Sequence, residues 1–259
     1  MKKIIAFLIR FVPRKYLQRV GGFGLRVVGG VFYRGSAVTC PVCESSYRIF
    51  LPYGRINPRP NALCPNCLSL ERHRLIWLYL RERTSFFTRK QGVLHIAPEA
   101  CFIPRFEKLH SDQYITADIE SPLAKVKMDI HEIPFQENTF DVVLCNHVLE
   151  HVRDDIQAMR EIHRVLKPGG LAILQVPFFN PVQDVTFEDA SVTDARERER
   201  LFGQDDHVRK YGHDYPQRMA QAGLTPVPDE FVNELDDATR KKYGLVKGET
   251  IFRANKESA

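Results

Sequence analysis

The chain of 259 residues contains no apolar run long enough to cross a membrane, for which about eighteen consecutive apolar residues are needed. Its N-terminal apolar stretch, Ile4–Ile9, ends at Arg10 after six residues, and no small-residue cleavage site follows it cleanly. We therefore expect neither a membrane span nor a cleaved signal peptide. The expected location is cytoplasmic, where cysteines stay reduced.

Acidic residues are absent from residues 1–36, although this segment holds eight lysines and arginines. The formal charge of the whole chain is +5, so the remainder carries −3. The positive charge therefore resides in the N-terminus. The body of the protein lacks the basic surface expected of a protein that coats nucleic acid.

Within this basic segment, apolar residues recur at helical spacing and form one face: Ile4, Ile5, Leu8, Phe11 and Val12. The pattern predicts an amphipathic helix with cationic flanks. Such a helix can lie on an anionic membrane surface, which would associate the protein with the cytoplasmic face of a membrane. It can also pack on the protein's own body or on a second copy, giving a homodimer. Both alternatives stay open for residues 1–30.

Cysteines are few, and four of the six form two C-x-x-C pairs separated by twenty residues, Cys40 with Cys43 and Cys64 with Cys67. Four thiolates at this spacing can fill the tetrahedral coordination of a structural zinc ion and leave no catalytic position. The intervening chain is rich in proline, glycine and asparagine and cannot bury a core of its own, so a metal would supply its folding energy. Two disulfides or four free thiols are the alternative.

A helix predicted over residues 68–83 completes a zinc-binding module at residues 37–90. The helix is apolar on most sides and contains the only tryptophan, Trp77. Ser69 is its expected N-cap. His73 is unnecessary as a fifth ligand, so we expect it on the surface or in packing.

From residue 92 onward, apolar strands alternate with helices. The predicted strands are 92–97, 113–119, 125–130, 140–145, 171–176, 224–232 and 249–254, and the predicted helices are 99–109, 154–166 and 216–223. Such alternation predicts an α/β domain at residues 91–259, with a Rossmann-like parallel sheet and helices on both of its faces. In this architecture ligands bind beyond the carboxyl ends of the strands.

Polar residues stand at or just past the ends of three successive predicted strands: Asp118, Asp129, and the pair Asn146 and His147. Asp118 follows the end of the first strand, at Ala97, by 21 residues. This is about the spacing at which nucleotide-binding α/β units, some ~20 residues on, place the acid that accepts hydrogen bonds from a ribose.

The stretch FDVVLCNHVLEHV (140–152) and the LKPGG that follows at 166–170 resemble the class I S-adenosylmethionine-dependent methyltransferases. The resemblance covers about residues 91–256 and implies a seven-stranded sheet whose last two strands form an antiparallel edge pair. It implies that Asp118 holds the ribose of S-adenosylmethionine, and Ile119 beside it is a further expected cofactor contact. It further implies that Asp129 and Ile130 contact the adenine and that the residues past the fourth strand, Asn146 and His147, line the methionine end.

The loop after the first strand lacks the glycines that are usual in this family. Where the family has an acidic, glycine-rich turn, the chain reads HIAPEAC from residue 95. The corresponding cofactor contacts are His95, Ala97, Pro98 and Glu99. Glycine permits close approach of backbone to ligand, so the geometry of this loop is where the chain departs most from the family.

An insertion at residues 178–214 follows the fifth strand and is long enough to be a substrate-covering cap, the alternative being a solvated charged loop. It carries His207, while His147 and His151 follow the fourth strand. These three histidines are the candidate catalytic bases, since imidazole titrates near pH ~6.5. For His147 and His151, the alternatives are packing against the cofactor and capping of the next helix.

The expected reaction is methyl transfer to an oxygen or nitrogen of a small molecule or of a lipid-linked or glycan substrate. Methylation of ribosomal or transfer RNA is an alternative, because a cysteine module before this fold is similar in order to a family of ribosomal RNA guanine methylases. A non-catalytic module that binds S-adenosylmethionine is a second alternative, supported by the missing glycines.

Overall fold

The computed structural model describes residues 31–54 and 58–258, so the amphipathic helix predicted for residues 1–30 lies outside the described residues. The described chain divides into two units. The first comprises residues up to Phe87 with Glu99–Pro104 and Glu230–Glu249, and the second comprises Thr88–Pro98, Arg105–Asp229 and the chain from Thr250. None of the helices in the described ranges is long and apolar enough to span a membrane.

The strands of the described chain are, in order, β1 (Arg34–Thr39), β2 (Ser46–Tyr47), β3 (Leu51–Tyr53), β4 (Arg59–Leu63), β5 (Val93–Ile96), β6 (Tyr114–Asp118), β7 (Val126–Lys127), β8 (Phe140–Asn146), β9 (Leu166–Gln175), β10 (Phe187–Glu188), β11 (Arg209–Lys210), β12 (Thr225–Asp229) and β13 (Ile251–Asn255). The α-helices are α1 (Glu71–Arg83), α2 (Ile103–His110), α3 (Asp155–Val165), α4 (Ala195–Phe202), α5 (Tyr215–Gln221), α6 (Phe231–Glu234) and α7 (Asp237–Tyr243).

The second unit is built on a seven-stranded sheet with the strand order β12-β13-β9-β8-β5-β6-β7. Strands β9, β8, β5, β6 and β7 are parallel, and β12 and β13 form an antiparallel pair at one edge. The predicted methyltransferase-like sheet, including its antiparallel edge pair, is confirmed. Central strand β8 is buried almost throughout, as expected of a strand covered by helices on both faces.

Helix α3 begins where the sequence predicts, because the Asp154 side chain caps it by accepting from Gln157 N at 2.9 Å. Its buried residues, Ala158, Met159, Ile162 and Val165, form one face toward the core. The LKPGG segment ends the helix as predicted, but β9 starts at once, at Leu166 rather than at residue 171. Gly170 permits this tight passage, since a Cβ there would lie 2.8 Å from Lys167 O.

Several predicted boundaries are wrong because local turns intervene. The strand predicted over 125–130 has only two residues, Val126–Lys127, and Asp129 then forms a turn by accepting from His131 N. The helix predicted from residue 99 begins at Ile103. The strand predicted over 224–232 stops at Asp229 and gives way to α6.

In the first unit, helix α1 is buried along most of its length and begins at Glu71, later than predicted. Leu70 occupies the N-cap position in place of Ser69, and its backbone N–H donates to His73 Nδ1 at 3.0 Å. His73 is therefore a buried helix-start residue, which confirms its packing role and excludes the surface one.

Arg74, in the first unit, is completely buried. Its guanidinium donates to the carbonyls of Tyr243 at 2.6 Å, Ala62 at 2.8 Å, Ser69 at 3.0 Å and Gly244 at 2.8 Å. It also lies 4.3 Å from the centre of the Phe50 ring. One side chain thereby joins β4, the start of α1 and the turn after α7.

Candidate functional site

The carboxyl ends of β5, β6, β7 and β8 share one edge of the sheet. The chain runs from β5 outward to β6 and β7, then returns to place β8 on the other side of β5. The crevice between β5 and β8 is therefore the point where strand order reverses, which is where α/β sheets bind ligands.

Asp118 ends β6 and organises the turn that follows it. Its Oδ1 accepts from the backbone N–H groups of Glu120 at 2.7 Å and Ser121 at 2.6 Å. Both bonds go to one oxygen, so Oδ2 can accept from a hydroxyl. Ile119, the next residue, is 56% exposed. A carboxylate beside an exposed apolar side chain suits a ligand with both a sugar and a flat ring.

Asp129 follows β7 and is exposed, whereas Ile130 is buried. The Oδ1 atom of Asp129 accepts from His131 N at 2.9 Å and lies 2.7 Å from His131 Nδ1. These bonds hold the pKa of Asp129 below its ordinary value, so the group is an anion at neutral pH. A charged acceptor is thus available at the end of a second strand.

The loop after β5 keeps the backbone shape of a glycine turn although it contains no glycine. Ala97 has φ of 49°, in the left-handed region, and its N–H donates to Ala117 O at 2.9 Å. Pro98 follows directly. Glu99 belongs to the first unit, where its carboxylate lies 3.8 Å from His73 Nε2.

His95, which the sequence predicts as a cofactor contact, lies in the core of the second unit. Its side chain is completely buried within β5, and its Nδ1 lies 2.6 Å from the Tyr114 hydroxyl. The His95 side chain is thus a core group, and its contact with the cofactor stays a prediction.

Past β8, Asn146 is buried, whereas His147 is partly exposed and has a left-handed backbone, with φ of 55°. His147 Nδ1 lies 3.2 Å from Glu150 Oε1. A carboxylate oxygen only accepts, so Nδ1 carries the proton and Nε2 is left as the proton acceptor. Glu150 is 1% exposed, and the prediction from sequence missed it although it stands between two of the candidate histidines.

His151 and His207 come together, with ring centres 4.7 Å apart. His207 is 0% exposed, so the structure holds it in the interior, and its role as a base stays a prediction. Burial lowers the pKa of His207, which keeps it neutral at neutral pH. Its Nδ1 lies 3.1 Å from Phe202 O. The side chain of His151 is 34% exposed.

The end of the insertion is packed rather than solvated. Arg209 is buried and donates to the carbonyls of Leu149, Val152 and Arg153. It also pairs with Glu188, at 2.9 Å. These bonds hold the insertion against the turn after β8. They explain why His207 lies beside His151.

The four cysteines of the two C-x-x-C pairs have their Sγ atoms within 4.8 Å of one another. Cys40 and Cys67 Sγ atoms are 3.6 Å apart, as are those of Cys43 and Cys64. Zinc with bonds of about 2.3 Å places tetrahedral sulfurs some ~3.8 Å apart, so the cluster has the dimensions of a zinc site. A disulfide, with a bond of about 2.05 Å, does not fit these distances.

The two cysteine turns are copies of one backbone structure. Cys40 N donates to Ser45 O and Cys64 N to Ser69 O, both at 2.9 Å, and the residues after the second cysteines, Glu44 and Leu68, both have left-handed φ. Each turn has the sequence C-P-x-C-x-S. The repeated serine was a signal that the prediction from sequence did not use. Ser69 Oγ lies 3.1 Å from Cys40 Sγ, so it contacts the other turn.

Residues 99–174 match the family described as methyltransferase domain. The ubiquinone/menaquinone biosynthesis C-methyltransferase UbiE of Haemophilus ducreyi is 30% identical over 146 residues, which are 48% of this chain and 56% of the relative. The enzyme of the same name from Idiomarina loihiensis is 34% identical over 99 residues, 38% of this chain and 39% of the relative. The chain thus spans about half, or less, of the length of these curated relatives.

Among solved structures, an S-adenosylmethionine-dependent methyltransferase from Mesorhizobium loti is similar with a TM-score of 0.47 and 15% identity, covering 69% of this chain and 96% of that one. The family match begins just after β5 and runs through β6, β7 and β8 into β9. The family match and the strand order support the resemblance to the class I S-adenosylmethionine-dependent methyltransferases, with a methyltransferase domain at residues 99–174.

Proposed function

We propose that the protein transfers the methyl group of S-adenosylmethionine to a nucleophile. The observation that carries the proposal is the set of polar strand ends beside the switch point, within the region that matches the family. Asp118 would hold the ribose, Ile119 would support the adenine, and Asp129 with the Ile130 backbone would meet the adenine edge. The remaining part of the cofactor site would be lined by Ala97, Pro98, Asn146 and His147.

The sulfonium is an activated methyl donor, so the protein's task is largely to align donor and acceptor. His147 is the proposed general base. The Glu150 carboxylate orients its ring and leaves Nε2 to accept a proton from the acceptor. This arrangement favours an acceptor that loses a proton on methylation, such as a hydroxyl or amine.

Calorimetry with S-adenosylhomocysteine tests cofactor binding. The Asp118→Ala variant should bind more weakly by about 1.5–3 kcal/mol, the scale of a hydrogen bond to a charged group. Asp112→Ala, which removes an exposed acid paired with Lys90 before β6, is the matched control and should bind like wild type. Equal affinity of Asp118→Ala and wild type would refute the ribose assignment.

The acceptor is proposed to be a small molecule or a lipid-linked or glycan substrate. A second candidate is a carbon atom of a quinone precursor, because the relatives from H. ducreyi and I. loihiensis are named as ubiquinone/menaquinone C-methyltransferases. Incubation of labelled S-adenosylmethionine with demethylated quinones, and separately with metabolite, lipid and RNA extracts, distinguishes these classes by the fraction that takes up the label.

We also propose that Cys40, Cys43, Cys64 and Cys67 bind one structural zinc ion. Elemental analysis of the wild type and of Cys67→Ser should differ by one zinc per chain. Cys101→Ser, which replaces a cysteine of the same unit outside the cluster, is the control. Equal zinc contents in Cys67→Ser and wild type would contradict the site.

A further inference from the structure

A second cluster of metal-ligating side chains lies within the second unit, just past the carboxyl end of β8. Glu150, His151 and His207 each offer one ligand atom, and these atoms lie within 4.8 Å of one another. Two of the residues come from the turn after β8, and the third comes from the insertion. The fold, and not proximity in sequence, therefore builds the cluster.

Two of these groups are buried with polar atoms that lack a hydrogen-bond partner among the described residues: Glu150 Oε2 and His207 Nε2. Glu150 is 1% exposed and His207 is 0% exposed. Buried polar atoms nearly always have partners in folded proteins, because burial removes the water that would otherwise bind them. A cation bound between them would satisfy both atoms.

The protonation of both imidazoles suits a metal. His207 Nδ1 lies 3.1 Å from Phe202 O, and His151 Nδ1 lies 3.3 Å from Asp206 O. A carbonyl oxygen can only accept, so each Nδ1 carries the proton and each Nε2 presents a lone pair. Metal-binding histidines are typically oriented by such a bond from the second ring nitrogen.

The distances require only a small adjustment. His151 Nε2 lies 4.0 Å from Glu150 Oε1, whereas ligands of a tetrahedral zinc with bonds of about 2.0–2.1 Å are roughly 3.3 Å apart. The His151 side chain is 34% exposed and can rotate to close this gap. The two imidazole rings are nearly perpendicular, at 84°, so their nitrogens can approach one ion from different directions.

We propose that Glu150, His151 and His207 bind a divalent transition-metal ion. Two imidazoles and one carboxylate form a ligand set that suits zinc, nickel or iron. Three protein ligands leave a coordination position for water or for an oxygen atom of the methyl acceptor. Only this last role, as a holder of the acceptor, rests on the proposed methyl transfer.

Zinc chloride is the probe for the test. The full chain is equilibrated with zinc, and bound zinc per chain is counted by elemental analysis for wild type, Glu150→Gln, His151→Gln and His207→Gln. Each of the three variants should bind one zinc fewer than wild type. His213→Gln, which changes an exposed histidine of the same insertion, should bind as many as wild type.

His151→Gln is the deciding variant because its side chain is partly exposed, so that folding, checked by circular dichroism, should persist. If it keeps the full zinc content of the wild type, the site does not exist. The comparison of zinc contents is independent of the cysteines, which are unchanged in every variant. It is also independent of S-adenosylhomocysteine binding, so failure of the methyltransferase proposal and failure of the metal site give different results.

Discussion

Replacing Arg74 by methionine should unfold the first unit at much lower denaturant concentration. The substitution keeps the length and packing of the side chain but removes the donors to the carbonyls of Ala62, Ser69, Tyr243 and Gly244. Those oxygens would lose this charged donor, while Ser69 O would keep the bond from Cys64 N. Removing one partner of a buried charged interaction typically costs about 3–5 kcal/mol, and we expect a loss of this size.

Trp77 provides the assay, because it is the only tryptophan of the chain and lies in α1, stacked on Phe102 with ring centres 6.3 Å apart. Its fluorescence in a urea titration therefore reports the unfolding of the first unit. Arg81→Met, at an exposed position of the same helix, is the matched control and should change the unfolding free energy little.

Arg74→Lys distinguishes charge from geometry. A lysine retains the positive charge, but its ammonium cannot reach carbonyls on both sides as the planar guanidinium does. The Arg74→Lys variant should therefore be destabilised nearly as much as the Arg74→Met variant. A loss below about 1 kcal/mol in Arg74→Met, the size of one ordinary hydrogen bond, would refute the argument that Arg74 holds the unit together.

Three further outcomes are expected. Ala97→Gly should stabilise the protein by up to about 1 kcal/mol, because glycine relieves a left-handed backbone, whereas Ala97→Val should destabilise it; equal urea midpoints would contradict this. Burial raises the pKa of Glu249 from 4.5 to about 7. The folded protein therefore binds the Glu249 proton more tightly than the unfolded chain does. The stability that this proton contributes is present below pH 4.5 and is lost as pH rises through 7. Glu249→Gln should thus raise the melting temperature more at pH 8 than at pH 5, and exposed Glu82→Gln should not. In vesicle flotation with anionic lipid, the full chain should float and a chain lacking residues 1–30 should not. If the two chains behave alike, residues 1–30 do not bind membrane, and light scattering then tests whether they form a dimer contact.

The sequence was sufficient for the sheet and its polar edge. Apolar strands of the right length alternate with helices, and this pattern leaves few arrangements other than a parallel sheet with covered faces. Asp118 and Asp129 were identifiable because a carboxylate directly after a buried strand has a local signal. The cysteine pairs were identifiable for the same reason, since a C-x-x-C turn is determined by neighbouring residues.

The boundaries of helices and strands were predicted less accurately from the sequence, because they depend on single hydrogen bonds. The Asp129 side chain stops β7 after two residues, and the backbone N–H of Leu70 bonds to His73 in place of a serine cap. Neighbouring residues have similar propensities to begin or end a helix or strand, so the sequence alone does not determine at which of them the element stops.

Contacts between residues far apart in the chain were decided only by the tertiary structure. Arg74 is a charged residue of a helix, and it is buried because carbonyls from residues 62 to 244 converge on it. His207 reads as a reactive loop histidine, yet Arg209 anchors its segment and carries it into the interior beside Glu150 and His151. The physical reason is that burial and pairing are properties of the assembled fold. The sequence by itself determined the strands, the cysteine turns and the acids at the sheet edge, and the packing of distant segments determined which charges and imidazoles face each other.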